Sequence, residues 1–257
     1  MGKEKYEKFE SYIPENQREK DIEYYSELNS YFSKSLGTNF DKLKAFTKFT
    51  PIAELGRFLA RDKIFQKIIN VQGSIVECGV YMGAGLMTWA ILSSIYEPLN
   101  HIRRVIGFDS FEGFVDVHEK DKYADNKTIK KGGLHCSSYE DLKECVRIYD
   151  LYRPLGHIPK VEIVKGDALS TIEEYLVKNS HLVVSLLYLD FDLYEPTKCA
   201  IEKFLPRMPK GAVIVFDQLN QKHWPGETTA VLDSVGVRNL KIERFAFQPQ
   251  LSYAVLE

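Results

Sequence analysis

Ser74-Ile75-Val76-Glu77-Cys78-Gly79-Val80-Tyr81-Met82-Gly83-Ala84-Gly85 reads as a short apolar strand that runs into a glycine-rich turn and then into a helix. The strand covers residues 74–78 and the helix residues 84–96. Gly79, Gly83 and Gly85 let the backbone turn tightly and leave room for a ligand to approach the main chain. Dinucleotide folds cradle a pyrophosphate with the same arrangement. Three spaced glycines therefore do not choose a ligand by themselves, and a purely structural turn is open as well.

Outward from this turn, strands and helices alternate. Strands are expected at 105–109, 161–165, 183–190 and 212–217, with helices at 139–151, 169–178, 194–205 and 227–235. Residues 183–190 are apolar almost without a break, as in strands buried on both faces. This alternation implies a parallel sheet with helices on both sides. At the C-terminus the rhythm changes. Residues 240–247 and 251–256 both read as strands, separated only by Gln248-Pro249-Gln250. No crossover helix fits there, so the pair is antiparallel. The expected fold is α/β, Rossmann-like, a mostly parallel seven-stranded sheet with a C-terminal antiparallel hairpin. Methyltransferases of this class close their sheets so, and dinucleotide dehydrogenases usually do not.

Residues 1–70 differ from the rest and are expected to form a helical subdomain, a lid or an oligomer contact, ahead of a catalytic domain at 71–257. Residues 3–31 are rich in charge and tyrosine. In the stretch 52–69, Leu55, Phe58, Leu59, Phe65, Ile68 and Ile69 fall on one helical face. Thr50-Pro51 is read as its N-cap and first helical residue.

The chain has 257 residues, 44% of them hydrophobic, which suits one α/β domain with an added subdomain and excludes general disorder. A net charge of −2 offers no basic excess for nucleic acid or an anionic membrane. Cys78, Cys136, Cys145 and Cys199 form no C-x-x-C pair and read as reduced thiols of a cytoplasmic protein. Residues 1–20 carry no apolar signal region. The most apolar segment, 182–189, is too short to span a bilayer.

Acids at the strand ends narrow the ligand. Glu77 just before the glycines suits the cationic methionine part of S-adenosylmethionine and would repel a pyrophosphate. Asp109 at the end of the next strand is placed to accept from two ribose hydroxyls. Asp167 is positioned to reach an adenine amino group, to cap the helix beginning at Leu169, or both. With the antiparallel hairpin, these point to S-adenosylmethionine. Asp190 and Asp217 end successive buried strands at the edge where open α/β sheets bind ligands. If the strands are neighbours, both carboxylates face one cleft, to hold a metal or to supply a base. Asp192 reads as a cap for the helix near Tyr194. His135 and His223 are surface histidines or alternative bases, and Trp224 and Tyr81 are candidate stacking surfaces. The charge-rich loop 110–138 is a solvated surface or a lid that orders with substrate.

The segments Val76-Glu77-Cys78-Gly79-Val80-Tyr81, Gly107-Phe108-Asp109-Ser110-Phe111-Glu112-Gly113 and Leu189-Asp190-Phe191-Asp192-Leu193-Tyr194-Glu195-Pro196-Thr197 together resemble those of the macrocin O-methyltransferase family. The resemblance covers roughly residues 50–235. It implies transfer of a methyl group from S-adenosylmethionine to a saccharide hydroxyl, often with a divalent metal such as Mg2+, and often in homodimers or larger assemblies. The cofactor-binding set is then Glu77, Gly79, Val80, Tyr81, Gly83, Gly85, Asp109, Ser110, Phe111, Asp167, Ala168 and Asp190. The resemblance makes Asp190 both a metal ligand and the catalytic base. Where the family has two adjacent acids as further ligands, this chain has Asp217-Gln218. Either Gln218 ligates through its amide oxygen with one charge fewer, with Glu227 as the compensating acid, or this branch works without metal. Three other readings stay open: methylation of another small polar acceptor on O or N, a NAD-linked sugar-nucleotide enzyme, and a non-catalytic cofactor-binding subunit.

Overall fold

The structure is a computed structural model that describes residues 18–122 and 126–257. The helical character expected over residues 3–17, and Asp125 of the charged loop, lie outside the described residues. The chain divides into two compact units, one ending at Leu55 and the other spanning Gly56–Glu257. No helix among the described residues is long and apolar enough to cross a membrane.

The first unit holds α1 (Glu19–Lys34), α2 (Asn39–Lys44), a 3-10 turn at Phe46–Lys48 and the beginning of α3 (Ile52–Ile68). Thr38 and Asp41 start α2 reciprocally. The Thr38 hydroxyl accepts from the Asp41 N–H, and the Asp41 carboxylate accepts from the Thr38 N–H. Thr50 does not cap α3 as its position promised. Its hydroxyl donates to the Phe46 carbonyl at 2.9 Å, and the Leu55 N–H bonds to Pro51 O at 3.1 Å, so the helix starts from Pro51.

The second unit is built on a seven-stranded sheet in the order β3-β2-β1-β4-β5-β7-β6. Its strands are β1 (Ser74–Cys78), β2 (Val105–Asp109), β3 (Val161–Lys165), β4 (Val184–Leu189), β5 (Val213–Phe216), β6 (Glu243–Phe245) and β7 (Gln248–Val255). The first five are mutually parallel, and β7 pairs antiparallel with both β5 and β6. Every residue of β1, β4 and β5 is buried, which is why these strands are largely apolar on both faces, with Ser74, Glu77 and Ser185 the polar exceptions. The hairpin turn falls at residues 246–247 rather than at 248–250. Pro249, which has no N–H, sits in β7 beyond its ladder with β5, next to a register shift in β6.

Two apolar layers sandwich the sheet. One packs α3, from Gly56 on, α4 (Ala84–Tyr96) and α5 (Tyr139–Tyr152) around Phe65, Trp89 and Tyr188. The other packs α6 (Ala168–Lys178), α7 (Tyr194–Phe204) and α8 (Pro225–Ser234) around Phe108, Phe204 and Phe216. On α3 the buried stripe is Ala60, Arg61, Ile64, Phe65 and Ile68, whereas Phe58 and Leu59 are exposed. The helix is therefore rotated from its expected apolar face, and an arginine takes a place in the buried layer. Because β1 lies between β2 and β4, the chain departs from it in opposite directions. That leaves a crevice at the carboxyl ends of β1 and β4, the usual ligand site of such sheets.

Arg103 fastens the entry to β1. Its buried guanidinium donates to the carbonyls of Ile68 (3.0 Å), Val71 (2.9 Å) and Gly73 (2.8 Å), and pairs with Glu97 at 2.7 Å. Arg103→Met should take from Glu97 its buried counter-charge and from the Ile68 and Val71 carbonyls the guanidinium donor, a loss of roughly 3–5 kcal/mol. Urea unfolding checks this through a lower midpoint with an unchanged slope.

Candidate functional site

At the carboxyl edge the backbone is tight. Gly79 has φ +95°, and a Cβ there would lie 2.0 Å from the Asp190 carbonyl oxygen, so only glycine fits. The Gly79 N–H bonds to Phe108 O at 2.9 Å and the Asp190 N–H to Cys78 O at 2.7 Å, which joins the ends of β1, β2 and β4. Six described non-glycine residues have positive φ, and four of them, Tyr81, Phe111, Asp192 and Asn220, follow the carboxyl ends of β1, β2, β4 and β5. Strain concentrated on one edge marks it as the functional face.

Asp109 organises the glycine loop. Its Oδ2 accepts from the N–H groups of Val80 (2.7 Å) and Tyr81 (2.8 Å), and its Oδ1 from Phe111 (2.7 Å). The carboxylate expected to meet ribose hydroxyls thus also fixes the loop beside them. The Ser110 hydroxyl donates to Gly113 O at 2.6 Å, and the Phe111 ring is buried against Tyr139. Phe111 therefore presents backbone, not its ring, to the crevice edge. Ser138 donates to the Tyr81 carbonyl from the start of α5, and Tyr81 itself is exposed. Gly83 accommodates Leu142, whose Cδ1 would lie 2.4 Å from an added Cβ. Asp167 caps α6, its Oδ1 accepting from the Leu169 N–H at 3.1 Å, and the neighbouring Gly166 N–H bonds to Asp109 O at 2.9 Å. Ala168 is buried in the first turn of α6.

Glu77 is buried beneath the first turn of α4. A Cβ on Gly85 would lie 2.2 Å from its Oε1, and its Oε2 has no hydrogen-bond partner. Burial pushes the Glu77 carboxyl up to about 7, with Arg61 acting in the opposite sense. Register places Glu77 beside Tyr188 on β4. The Arg61 guanidinium donates to the Tyr188 hydroxyl at 3.2 Å, and that hydroxyl donates to Asp217 Oδ1 at 2.5 Å.

Asp217 collects four donors. Arg57 spans it with two bonds of 3.1 Å, one to each oxygen, and the Gln218 amide Nε2 adds a bond of 3.1 Å to Oδ2 beside the Tyr188 bond to Oδ1. The same Nε2 donates to Asp190 Oδ1 at 3.1 Å. The Gln218 backbone N–H bonds to buried Glu227 Oε1 at 2.9 Å. Burial, then the charges of Asp217 and Asp192, raise Asp190 well above the usual carboxylate range. Burial, then Asp217, push Asp192 up to about 8.

The structure thus brings Asp190, Asp217 and Gln218 together, beside the glycine loop, as the sequence expected. It does not assemble them as a metal triad. The side-chain atom of Gln218 facing the two acids is an N–H donor, and Asp217 is already held by Arg57. Among the described residues no group of three or more His, Cys, Asp or Glu is placed to hold a metal ion.

Several residues go unseen in the sequence reading. Arg57 and Arg61 lie one helical turn apart on α3, and Tyr188 sits inside an apolar strand. Asp121 is another. It is buried in the loop 110–138, where its Oδ1 accepts from the Tyr194 N–H at 2.6 Å and its Oδ2 from the His118 N–H at 2.9 Å. It, and not Asp192, caps α7. The loop is further docked by Asn126, whose side chain donates to His223 O at 2.9 Å, and by Lys120, which reaches Asp233. Trp224 is buried against Phe114, and exposed His135 pairs only locally with Ser137 among the described residues.

The sheet order, the single reversed strand and the strained carboxyl edge define a Rossmann-like α/β methyltransferase. Residues 59–240 match the macrocin-O-methyltransferase (TylF) family, and the chain belongs to it. A solved structure of CalS11, a calicheamicin methyltransferase, superposes with a TM-score of 0.89 at 30% identity, covering 93% of this chain and 94% of that one. The apo structure of CalS11, described as a TDP-rhamnose 3'-O-methyltransferase, gives 0.81 at 29% identity, covering 93% and 96%. Demethyldecarbamoylnovobiocin O-methyltransferase of Streptomyces niveus is 26% identical over 151 residues, 58% of this chain. The match covers 53% of that relative, so the chain spans about half its length.

Glu77 gives the fold a distinct pH dependence. Its folded-state pKa of about 7 lies above the ordinary 4.5, so the folded state holds the proton more tightly. The resulting stability is fully present below about pH 4.5 and is lost as pH rises to about 7. Between pH 5 and 8 the wild type should lose on the order of 2–3 kcal/mol relative to Glu77→Gln. Paired urea titrations at the two pH values, without cofactor, measure the difference, and parallel curves would remove Glu77 as the cause.

Proposed function

We propose that this chain is an S-adenosylmethionine-dependent O-methyltransferase whose acceptor is a hydroxyl of a saccharide or sugar nucleotide. The observation that carries the reading is the position of Asp190. Its backbone is locked to the glycine loop at Cys78 and Gly79, and its half-buried carboxylate faces the crevice beside Asp217. A candidate base thus lies directly against the loop that fits the methyl donor.

The residues present fit that donor. Gly79 and Gly83 add no side chain at the two ends of the loop, and Asp109 fixes the N–H groups of Val80 and Tyr81. Five acids, Glu77, Asp190, Asp192, Asp217 and Glu227, lie at or beneath this edge; burial drives Glu77, Asp190, Asp192 and Glu227 toward their neutral forms, and Asp217 pairs with Arg57. An edge lined by carboxyl groups disfavours a pyrophosphate. When bound, S-adenosylmethionine supplies an electrophilic methyl group on sulfur.

Asp190 then serves the acceptor. Gln218 holds its Oδ1, and among the described residues no hydrogen bond reaches Oδ2. Asp190 would accept the proton of the acceptor hydroxyl, leaving that oxygen to take the methyl group the bound donor would supply. A sugar hydroxyl is too weak a nucleophile to react without such a base. Burial of the cluster strengthens these interactions by excluding water. The reading includes a cytoplasmic location and a homodimer or larger assembly. Exposed Ile95, Leu99, Ile102, Leu151 and Tyr152 support the assembly, which light scattering tests.

Incubation with S-adenosylmethionine and a panel of nucleotide sugars, TDP-rhamnose among them, followed by mass spectrometry for one added methyl group, tests the reading. Methylation only of non-sugar acceptors would shift it to another small polar substrate. Asp190→Asn should lower kcat by roughly 10²–10⁴ while calorimetry shows S-adenosylmethionine binding within about threefold of wild type. Unchanged turnover would take Asp190 out of the mechanism.

A further inference from the structure

We propose that the acid cluster operates without a divalent cation, because the Gln218 amide and the Arg57 guanidinium hold the positions that a cation would otherwise bridge. This rests on the methyltransferase reading, and it concerns how Asp190 and Asp217 coexist in one cleft.

Two neighbouring carboxylates repel unless something positive or hydrogen-donating lies between them. A magnesium ion would do this with oxygen ligands at about 2.0–2.1 Å in a near-octahedral set. In this chain the bridging atom is Gln218 Nε2, which donates to Asp190 Oδ1 and to Asp217 Oδ2, each at 3.1 Å. The bridge brings two N–H donors and no ligating oxygen. Turning the amide over would aim Oε1 at two carboxylates, so their charges set its orientation.

Asp217 has no capacity left for a metal. A carboxylate offers about four lone-pair sites. Arg57 takes one on each oxygen, Tyr188 takes another on Oδ1 and Gln218 another on Oδ2. Ligating a cation would break a bidentate arginine pair, the most favourable pairing available to a carboxylate. Glu227, the acid read as compensating the missing charge, instead positions Gln218 by accepting its backbone N–H at 2.9 Å. Asp190 Oδ2, Gln218 Oε1 and Glu227 Oε2 carry no hydrogen bond among the described residues, yet no group of three or more His, Cys, Asp or Glu there is placed to hold a metal ion. Gln218 is therefore a positioning residue. It holds Asp190 for proton transfer and separates it from Asp217, while Arg57 supplies the fixed positive charge.

Metal binding is measured first and needs no acceptor. Metal-stripped wild-type protein, with saturating S-adenosylmethionine, is titrated with Mn2+ and followed by electron paramagnetic resonance. The expected result is no stoichiometric binding, whereas Gln218→Asp, which restores two adjacent acids, gains a Mn2+ site. Gln218→Glu repeats the test should the aspartate fail to fold. Stoichiometric Mn2+ binding by the wild type would overturn the proposal. So would a fall of more than about tenfold in wild-type turnover with EDTA that Mg2+ restores, since a required Lewis acid supplies several kcal/mol. The expected change in turnover is less than about twofold. Absence of any methylated acceptor would count against the methyltransferase reading alone, because the Mn2+ titration stands independently of it.

Discussion

The close approach of Gly79 to the Asp190 backbone constrains everything at this edge. In an open α/β sheet the carboxyl ends of the two central strands diverge as their chains turn to opposite sides. Here they are drawn together by the Asp190 N–H on Cys78 O, and the absence of a Cβ on Gly79 permits the contact. The glycine loop and the candidate base are consequently one rigid object. A side chain at position 79 would separate them. The glycine loop would then lose its floor and Asp190 its alignment.

A second constraint is charge. Five acids lie at or beneath this edge, and the fold answers them from a helix, not from the sheet. Arg57 and Arg61, one turn apart on α3, reach Asp217 and Tyr188 respectively. Tyr188 passes the contact on from Arg61 to Asp217, so the layer under Glu77 and the layer under Asp190 are joined by a continuous polar chain through an otherwise apolar core. A buried pair of this kind is costly to break and contributes little net stability when intact. Its retention in the core fits a role in holding carboxylates in register.

The sheet was legible because short β-branched apolar runs alternate with helical segments along the chain, and β1, β4 and β5 are buried throughout. The segments around β1, β2 and β3 could be bounded to the residue, and the reversed C-terminal strand followed from the short spacing between two runs. The turn of that hairpin was misplaced because Gln248-Pro249-Gln250 has turn composition, whereas the pairing of Phe245 with Gln248 puts the turn two residues earlier. Helix α3 was misjudged for a related reason. Periodicity counted Phe58 and Leu59 as core and passed over Arg61, since nothing local announces that an arginine will find a tyrosine 127 positions away. The acids at the strand ends could be identified from sequence, because strand termini fix their place. Their partners could not, because those come from other elements. Gln218 shows the division well: its identity marked a departure at once, but which amide atom meets the acids depends on the carboxylates around it.

The loop at 110–138 follows from the same logic. A charge-rich run with no periodicity reads as solvated surface, yet Asp121 within it is buried and supplies the cap that α7 lacks from its own sequence. Gly226 makes the fit possible. A Cβ there would lie 2.1 Å from Asp121 Oδ1 and 2.7 Å from the Tyr194 nitrogen, so α8 can close over this junction only with glycine at that position. The start of α7, the start of α8 and the middle of the loop therefore meet at the Asp121–Tyr194 bond, and Tyr194 lies two residues from Asp192 and four from Asp190 along the chain. A substitution at Asp121 would free the loop and the first turn of α7 together. It would also leave Tyr194 N–H buried without an acceptor. The segment that looks most like an independent cover is thus tied by a buried hydrogen bond to the first turn of α7, the helix that begins four residues after Asp190.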